Sequence, residues 1–385
     1  MSTPAPAPTA ASGSKWSSFF DLGSGRGLIL VVLFLGVVLT IFSGTVRAPL
    51  FERAADGTRH RVFTVNAQGE RTPAFTERNK FLNAQNLAQL AKDTSFIAIM
   101  AVGMAVVIIS GGIDLSVGSI YALASVLGAL VLHRYGPQGD AAAALGPGTA
   151  IFVGALVCIG AGALSGLFNG GLTVVLGVHP FIITLGAMAI LRGIAFVTTK
   201  GQSVGNFPQL FRDIVRWEIG DGLSVVPLLV MLLVLIVGWI FLSRLAAGRR
   251  VYAIGGNEVA ARFSGIRIER VKLGVYVISG LTAGIAALLS LGYYGAASSG
   301  DGQGYELNVI AAAVVGGASL TGGRGTALGV VLGALVIQMI SSGILILGID
   351  QNYSQIIIGS VVIAAVVLDN FNNWLARRRL TAKSS

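Results

Sequence analysis

Ten apolar runs recur along this chain, and they limit its fold more than any other feature. They cover residues 27–42, 96–110, 117–132, 149–168, 172–198, 225–242, 273–291, 307–320, 326–347 and 353–368. A helix that crosses a bilayer needs roughly 20 mostly apolar residues, and fewer where flanking side chains snorkel. Within the hydrocarbon every backbone N–H and C=O must find a partner inside the protein. The runs therefore predict an all-α, polytopic membrane protein with about ten transmembrane helices spanning 27–372. The fifth run contains Pro180, which breaks or bends a helix, and the eighth, short and Gly-rich, is expected to be re-entrant. With 54% hydrophobic and 11% charged residues, the chain has too few charges to cover a soluble surface.

The net charge of +10 would suit a nucleic-acid binder, but its distribution argues for membrane orientation. The basic residues gather between runs and in Arg377-Arg378-Arg379, as the positive-inside rule requires. Lys15 and Arg26 precede the first run, so the chain is expected to start in the cytoplasm. Ten crossings then return both the 244–272 loop and the 373–385 basic tail to the cytoplasmic side of a bacterial inner membrane. Residues 1–26, rich in Pro, Ala, Thr and Ser, read as a disordered cytoplasmic tail, and the first run reads as an anchor without a cleavage site. Residues 44–93 fall outside, where HRVFTVNAQGERTPAF alternates around Asn66–Gly69 as a hairpin does.

Several chemistries find no support. The single Cys158 lies in an apolar run, which predicts a buried inert thiol and excludes an internal disulfide. His60, His133 and His179 are far apart in the sequence, and neither metal-ligand spacing nor a nucleophile–base pair is visible. The chain lacks G-x-x-x-x-G-K-[ST], so it does not bind ATP through such a loop. It is expected to be neither an enzyme nor a cofactor protein.

Four polar motifs interrupt the apolar pattern. Between the sixth and seventh runs, seven Lys/Arg (Arg244, Arg249, Arg250, Arg262, Arg267, Arg270, Lys272) face two acids, Glu258 and Glu269. Here Asn257 is placed to cap a short helix, Glu258 to sit at its positive end, Arg262 to follow one turn on and Gly265 to stop it. In the second motif, Gly111–Ile120 (GGIDLSVGSI), paired glycines break the run before Asp114. That acid reads either as a cap on the next helix or as a pathway residue, since an acid near hydrocarbon is costly without a role. The pattern recurs from Gly316 (GGASLTGG), with Ala122-Leu123 and Val126–Val131 echoed by Ala327-Leu328 and Val331–Val336, which points to two related halves. The third motif is Pro180–Met188 through Arg192-Gly193, with Asn169 upstream. The fourth runs from Tyr305-Glu306-Leu307 to Gly325.

Together these motifs, spread from about Phe81 to Leu368, resemble the permease subunits of bacterial ABC importers for monosaccharides, the ribose, xylose and galactose branch. The resemblance implies that Gly255, Gly256, Asn257, Glu258, Ala260, Ala261, Ser264, Gly265 and Ile266 form a coupling helix docked in a groove of a separate ATP-binding subunit. A large side chain at Ala261 is expected to overfill that groove. It also implies a translocation path or gate drawn from Asp114, Ser116, Asn169, Phe181, Thr184, Arg192, Glu306 and Asn308. Arg192 reads otherwise as an interfacial anchor. Implied partners are the ATP-binding subunits, a periplasmic or extracellular sugar-binding protein, a second permease copy and membrane lipid. The chain departs from the family pattern twice: Asn308 stands where an Asp is common, and an insertion separates the first run from Phe81–Leu87. The competing class is an ion-gradient-driven secondary transporter, which has no use for a docking helix.

Overall fold

A computed structural model describes residues 25–53, 59–65, 69–142, 144–220 and 222–381, with side chains of the last helix described to Val367. The expectation of a disordered tail over 1–26 lies outside these residues except at Gly25 and Arg26, which begin the first helix. Helix α1 spans Gly25–Phe42, and strands β1 (Thr45–Pro49), β2 (Phe51–Arg53), β3 (Arg59–Arg61), β4 (Phe63–Val65), β5 (Arg71–Pro73) and β6 (Phe75–Asn79) follow. Then come α2 (Ala84–Ile109), α3 (Val117–Arg134), α4 (Pro147–Leu176), α5 (Pro180–Thr199), β7 (Val204–Gly205), α6 (Gln209–Val215), β8 (Glu218–Ile219), β9 (Leu223–Ser224) and α7 (Val225–Arg244). The remainder is α8 (Ala246–Gly256), α9 (Glu258–Phe263), α10 (Ile268–Tyr294), β10 (Ala296–Ala297), α11 (Tyr305–Val315), α12 (Ala327–Ile346) and α13 (Ser354–Thr381).

Among the described residues seven helices, α2, α3, α4, α5, α7, α10 and α12, are long and apolar enough to cross a membrane, and three shorter apolar stretches accompany them, 27–42, 305–315 and 351–367. Each predicted run overlaps one of these stretches with shifted bounds: α2 begins at Ala84 rather than at 96, and the boundary between the fourth and fifth runs moves. The sequence suggests a break near Asn169-Gly170, yet α4 continues through both to Leu176. The chain turns instead at Gly177, in the left-handed region, and Pro180 opens α5 at its first positions, where a missing N–H loses nothing. The helix holds across Gly166 and Gly170 because both press against the backbone of α10 at Tyr276 and Leu273. At the other end, α13 carries helix as far as Thr381, so the basic tail begins as a continuation of the last helix.

The bundle is built around α2, 94% of whose apolar window is buried, whereas the equivalent figure for α7 is 17%; α7 therefore lies at the perimeter. Lipid tails are as apolar as the side chains, so packing rather than the hydrophobic effect must hold such helices together. The most extensive helix contact is α4 on α10, where Gly162 and Gly166 meet Gly280 and Gly284 backbone to backbone. α1 packs mainly on α12 and lies at the perimeter.

Two interruptions fall inside the bundle, at residues 110–116 and 316–326. The loop after α10 pairs β10 with β7 and then turns back, bringing the Gly302 carbonyl and Glu306 against Gly118 in the first turn of α3. α11, with 11 residues and a length of about 16 Å, is too short to span a bilayer by itself. The turn after it reaches the first interruption, where Gly323 N–H donates to the Ile109 carbonyl at 2.9 Å. Gly255 of α8 seats on the same two groups, so α8, α9 and both interruptions share one end of the bundle. Residues 43–83, at the start of α2, occupy the opposite end.

There β1–β6, β2–β3 and β4–β5 form three antiparallel arms, the last of them the hairpin anticipated around Asn66–Gly69, whose tip at 66–68 lies outside the described residues. The arms join at one point by three backbone bonds: Leu50 N–H to Ala74 O at 2.9 Å, Ala74 N–H to Val62 O at 2.8 Å and Val62 N–H to Leu50 O at 2.9 Å.

A methyl group on Gly280 would collide with the Gly162 carbonyl and come within 2.8 Å of Gly166 N, whereas Gly160 and Gly274 on the same two helices face open space. Overpacking costs about 1–3 kcal/mol and sometimes more. Gly280→Val is expected to remove most folded protein from the membrane and Gly280→Ala to lower its melting temperature, while Gly160→Ala and Gly274→Ala leave both unchanged. Fluorescence-detected gel filtration of the detergent-solubilised variants measures this.

Candidate functional site

The short helix α9 forms as its sequence dictates. The Asn257 side chain accepts the Ala260 N–H at 2.9 Å, the Ser264 hydroxyl returns to the Ala260 carbonyl at 2.9 Å, and Gly265 at φ +79° ends it in a conformation a Cβ disfavours. Ion pairs tie it to α10: Glu258 to Lys272 at 2.9 Å and Arg262 to Glu269 at 2.8 Å. Ala261 is turned inward, 4% exposed, and packs with Ile254 and Ile268 against the partly buried Ile266. This corrects the picture of Ala261 lying in a receiving groove: a larger residue there would first displace the loop's own core. The outward face carries Val259 and Phe263 instead, 64% and 89% exposed and one turn apart. Their signal in the sequence was present, since residues at i and i+4 share a helix face. Gly255 is pressed between Ile109 and Gly323, while Gly256 borders the turn at Gly323.

A second cluster lies at the first interruption and is entirely buried. One Asp114 carboxylate oxygen accepts the Ser116 N–H at 3.0 Å and the Ser116 hydroxyl at 2.6 Å, and the other accepts the Ser279 hydroxyl of α10 at 2.9 Å. Asn169 of α4 donates to Ser116 Oγ at 2.7 Å. The Ile113 carbonyl accepts from Thr184 of α5 and Tyr276 of α10, each at 3.4 Å. Side chains of three helices, α4, α5 and α10, thus meet on the peptide segment that leads into α3. Asp114 bonds two residues ahead, the geometry of an Asx turn, and Ser116 holds the cap position of α3 without a side-chain cap bond. On α4, Asn169 Oδ1 and Thr173 Oγ1, one turn apart, have no protein partner. Thr173 lines an open cavity of about 400 Å³, whose wall also includes His179, Glu258, Arg262, Glu269 and Lys272.

The other predicted residues form a separate group. Arg192 donates from Nη1 to the Ser299 and Asp301 carbonyls at 2.8 and 2.6 Å, fastening the loop that leads into α11. Glu306 accepts the Gly304 N–H at 3.2 Å through one oxygen, and its other oxygen is buried without a partner beside Gly118. Asn308 is half-buried and Phe181 is 44% exposed, so neither joins a polar network. A residue the sequence reading did not single out is Lys92, 2% exposed near the start of α2, with Nζ 3.0 Å from Asp93 Oδ1 and 4.0 Å from the centre of the Tyr293 ring. A lone cation before a long apolar run was its only trace. Among the described residues no group of His, Cys, Asp and Glu could hold a metal ion.

Residues 86–366 match the family described as branched-chain amino acid transport system / permease component. The chain is similar to the ribose import permease protein of Escherichia coli K12, 37% identical over 296 residues that cover 75% of this chain and 87% of that one. It is likewise 37% identical over 290 residues to the D-allose transport system permease protein of the same organism, covering 75% and 84%. The fructose import permease protein of Rhizobium meliloti is 32% identical over 300 residues, covering 76% and 79%. No solved structure matches the chain significantly.

The Asp114 geometry separates shape from charge. In Asp114→Asn the Oδ1 contacts to Ser116 persist and the amide can donate to Ser279 Oγ. Asp114→Leu orphans three donors, each at about 1–3 kcal/mol. Asn is expected to keep most solute uptake in membrane vesicles and Leu to lose it with reduced protein level. Equal loss in both at normal membrane level would assign Asp114 an electrostatic role.

Proposed function

We infer that this chain, which belongs to the branched-chain amino acid transport system / permease component family, is the membrane-spanning subunit of a binding-protein-dependent ABC importer for a monosaccharide. It is not itself catalytic; ATP is handled by the partner ATPase, and a solute-binding protein delivers cargo. The observation that carries the mechanism is the fixed linkage from α9 to the buried Asp114 cluster.

On this reading the end of the bundle holding α9 is cytoplasmic, the chain passes from side to side ten times, one passage being made by the 295–304 loop together with the short α11, and both termini lie inside. The odd number of long helices is completed by the three shorter apolar stretches, and the 26 residues of α2 separate the two ends by about 39 Å, enough for a bilayer. A second permease copy completes the pathway, with the exposed face of α5 around Phe181 and Leu185 available to meet it. The echo between 111–131 and 316–336 supports two related halves, since each pairs a helix, a glycine-rich interruption and a second helix.

The ATPase closing on ATP moves α9, and α9 cannot move alone. Its buried side, Ala261 with Ile254, Ile266 and Ile268, joins it to α8 and α10. The exposed ion pairs add little stability individually, about 0–1 kcal/mol each, but they fix the angle between α9 and α10. From α10, Ser279 bonds Asp114 directly, while Gly255 rests on Ile109 and Gly323. A displacement at the docking face therefore reaches both interruptions as a rigid-body motion. Asp114, Ser116, Asn169 and Thr184 act as the moving joint. Arg192, Glu306 and Asn308 border the path on its outer side.

Val259 and Phe263 supply the apolar contact to the ATPase. Phe263→Asp is expected to leave the permease in the membrane at normal level and with an unchanged melting temperature, yet to abolish co-purification of the ATPase together with uptake. Ala261→Trp is expected to lower the melting temperature as well. Full ATPase binding and normal uptake with Phe263→Asp would remove α9 from the interface.

A further inference from the structure

The three-armed element over 44–80 lies outside the family match, which begins at residue 86, and it has an internal repeat. PLFER, RVFTV and PAFTE place Phe51, Phe63 and Phe75 twelve residues apart, each directly after a junction residue, Leu50, Val62 or Ala74. The strand register repeats as well: Phe51 opposes Arg61, Phe63 opposes Pro73, and Phe75 opposes Pro49. Side chains alternate along a strand, so the odd-numbered residues share one face. The Arg61 guanidinium 6.0 Å from the Phe75 ring centre and the paired hydroxyls of Thr64 and Thr72 confirm the two sets. One face thus carries Phe51, Phe63, Val65 and Phe75, each 51–66% exposed, among Arg47, Arg61 and Arg71, with Glu77 opposite Arg47 as its one acid in the strands. The other carries Glu52, His60, Thr64, Thr72 and Thr76.

We propose that this aromatic and basic face lies on the outer leaflet of the bilayer and binds anionic phospholipid, holding the element flat beside the bundle. Four observations favour lipid over a soluble partner. The element has no spacer: Lys80 N–H bonds to the Gly44 carbonyl, and the Asn79 amide donates to the Thr40 carbonyl in the last turn of α1 at 2.8 Å. Asn79 is itself odd-numbered, so at the root of the stem the Phe-bearing face is the one turned toward α1. The anchoring helix is peripheral, packed mainly on α12, and the arms pack chiefly on one another, so the element stands beside the pathway and over lipid. Its charge also fits, with seven Lys/Arg against four Asp/Glu within 44–80. Continuity completes the case, because the lipid-facing side of α1 runs outward through Phe34, Val37, Ile41 and Phe42, all more than half exposed. Aromatic rings at the level of the headgroups with cations beside them are how proteins lie in a membrane interface.

The test uses the full chain. Phe51→Cys, Phe63→Cys and Phe75→Cys, with Thr64→Cys and Thr72→Cys for the opposite face, are each labelled with a nitroxide; Cys158 is buried and stays in place. In vesicles of phosphatidylglycerol, collisions with a water-soluble nickel chelate are expected to fall several-fold at the three Phe positions relative to the two Thr positions, and collisions with oxygen to rise. Arg61→Glu combined with Arg71→Glu is expected to return the Phe63→Cys probe to the value at Thr64, and vesicles of phosphatidylcholine to give an intermediate contrast. Equal nickel access on both faces in phosphatidylglycerol would overturn the proposal. So would protection that appears only when the soluble binding protein is added, which assigns the face to that protein.

Discussion

The fold depends on one constraint, the requirement that backbone polar groups inside hydrocarbon be paired within the protein. This chain breaks its helical run twice within the bundle, and each break frees groups that must be rehoused. At the first, Asp114 takes two donors from Ser116 and one from α10, while the Ile113 carbonyl is held by hydroxyls from α5 and α10. At the second, Gly323 N–H is accepted by the last residue of α2. Each break is therefore satisfied by neighbours, and so it records where those neighbours are. A change of helix positions must remake these bonds, which makes the interruptions the natural place for a discrete switch rather than a continuous deformation.

How much of this was legible in the sequence follows from the range of the interactions involved. The cap at Asn257, the stop at Gly265 and the turn before Pro180 are local, decided by one side chain and its own backbone, and can be read residue by residue. The inward turn of Ala261 was not legible, because it depends on Ile254 and Ile268 approaching from two other elements. The continuity of α4 through Asn169-Gly170 likewise depends on α10, whose backbone fills the space that would otherwise make two adjacent glycines a weak point. Arg192 was legible as a boundary cation, but its attachment to the 299–301 backbone joins residues more than a hundred positions apart. The three-armed element lies between these cases. The twelve-residue spacing of its phenylalanines is written in the chain, whereas an alternating pattern over sixteen residues suggests a single hairpin, since only a three-way junction explains why the repeat closes on itself.

The relatives differ in the sugar their names carry, and the chain matches ribose, allose and fructose permeases over a similar share of its length. This is consistent with a division of labour in which the buried polar cluster serves motion rather than recognition. Its hydrogen bonds are made among protein groups, and the seven buried side-chain atoms without a protein partner among the described residues, Ser119 Oγ and Ser125 Oγ on α3, Asn169 Oδ1 and Thr173 Oγ1 on α4, Arg212 Nε, Ser224 Oγ and Glu306 Oε2, are spread over five elements. They do not compose the dense ring of donors and acceptors that discriminating one hydroxyl pattern from another requires.

The α4–α10 contact has a mechanical meaning of its own. Four glycines bring the two helices so close that carbonyls face α-carbons with no side chain between them. Sliding one helix along the other would bring residues that carry side chains into contacts now made by glycine, and about 6 Å of travel, the rise of the four residues between successive glycines, would be needed before like positions met again. Longitudinal creep is thus blocked by geometry while tilting about the contact is not, because glycine leaves a smooth pivot. The pair therefore fixes the lengthwise register of its two helices more firmly than their mutual angle.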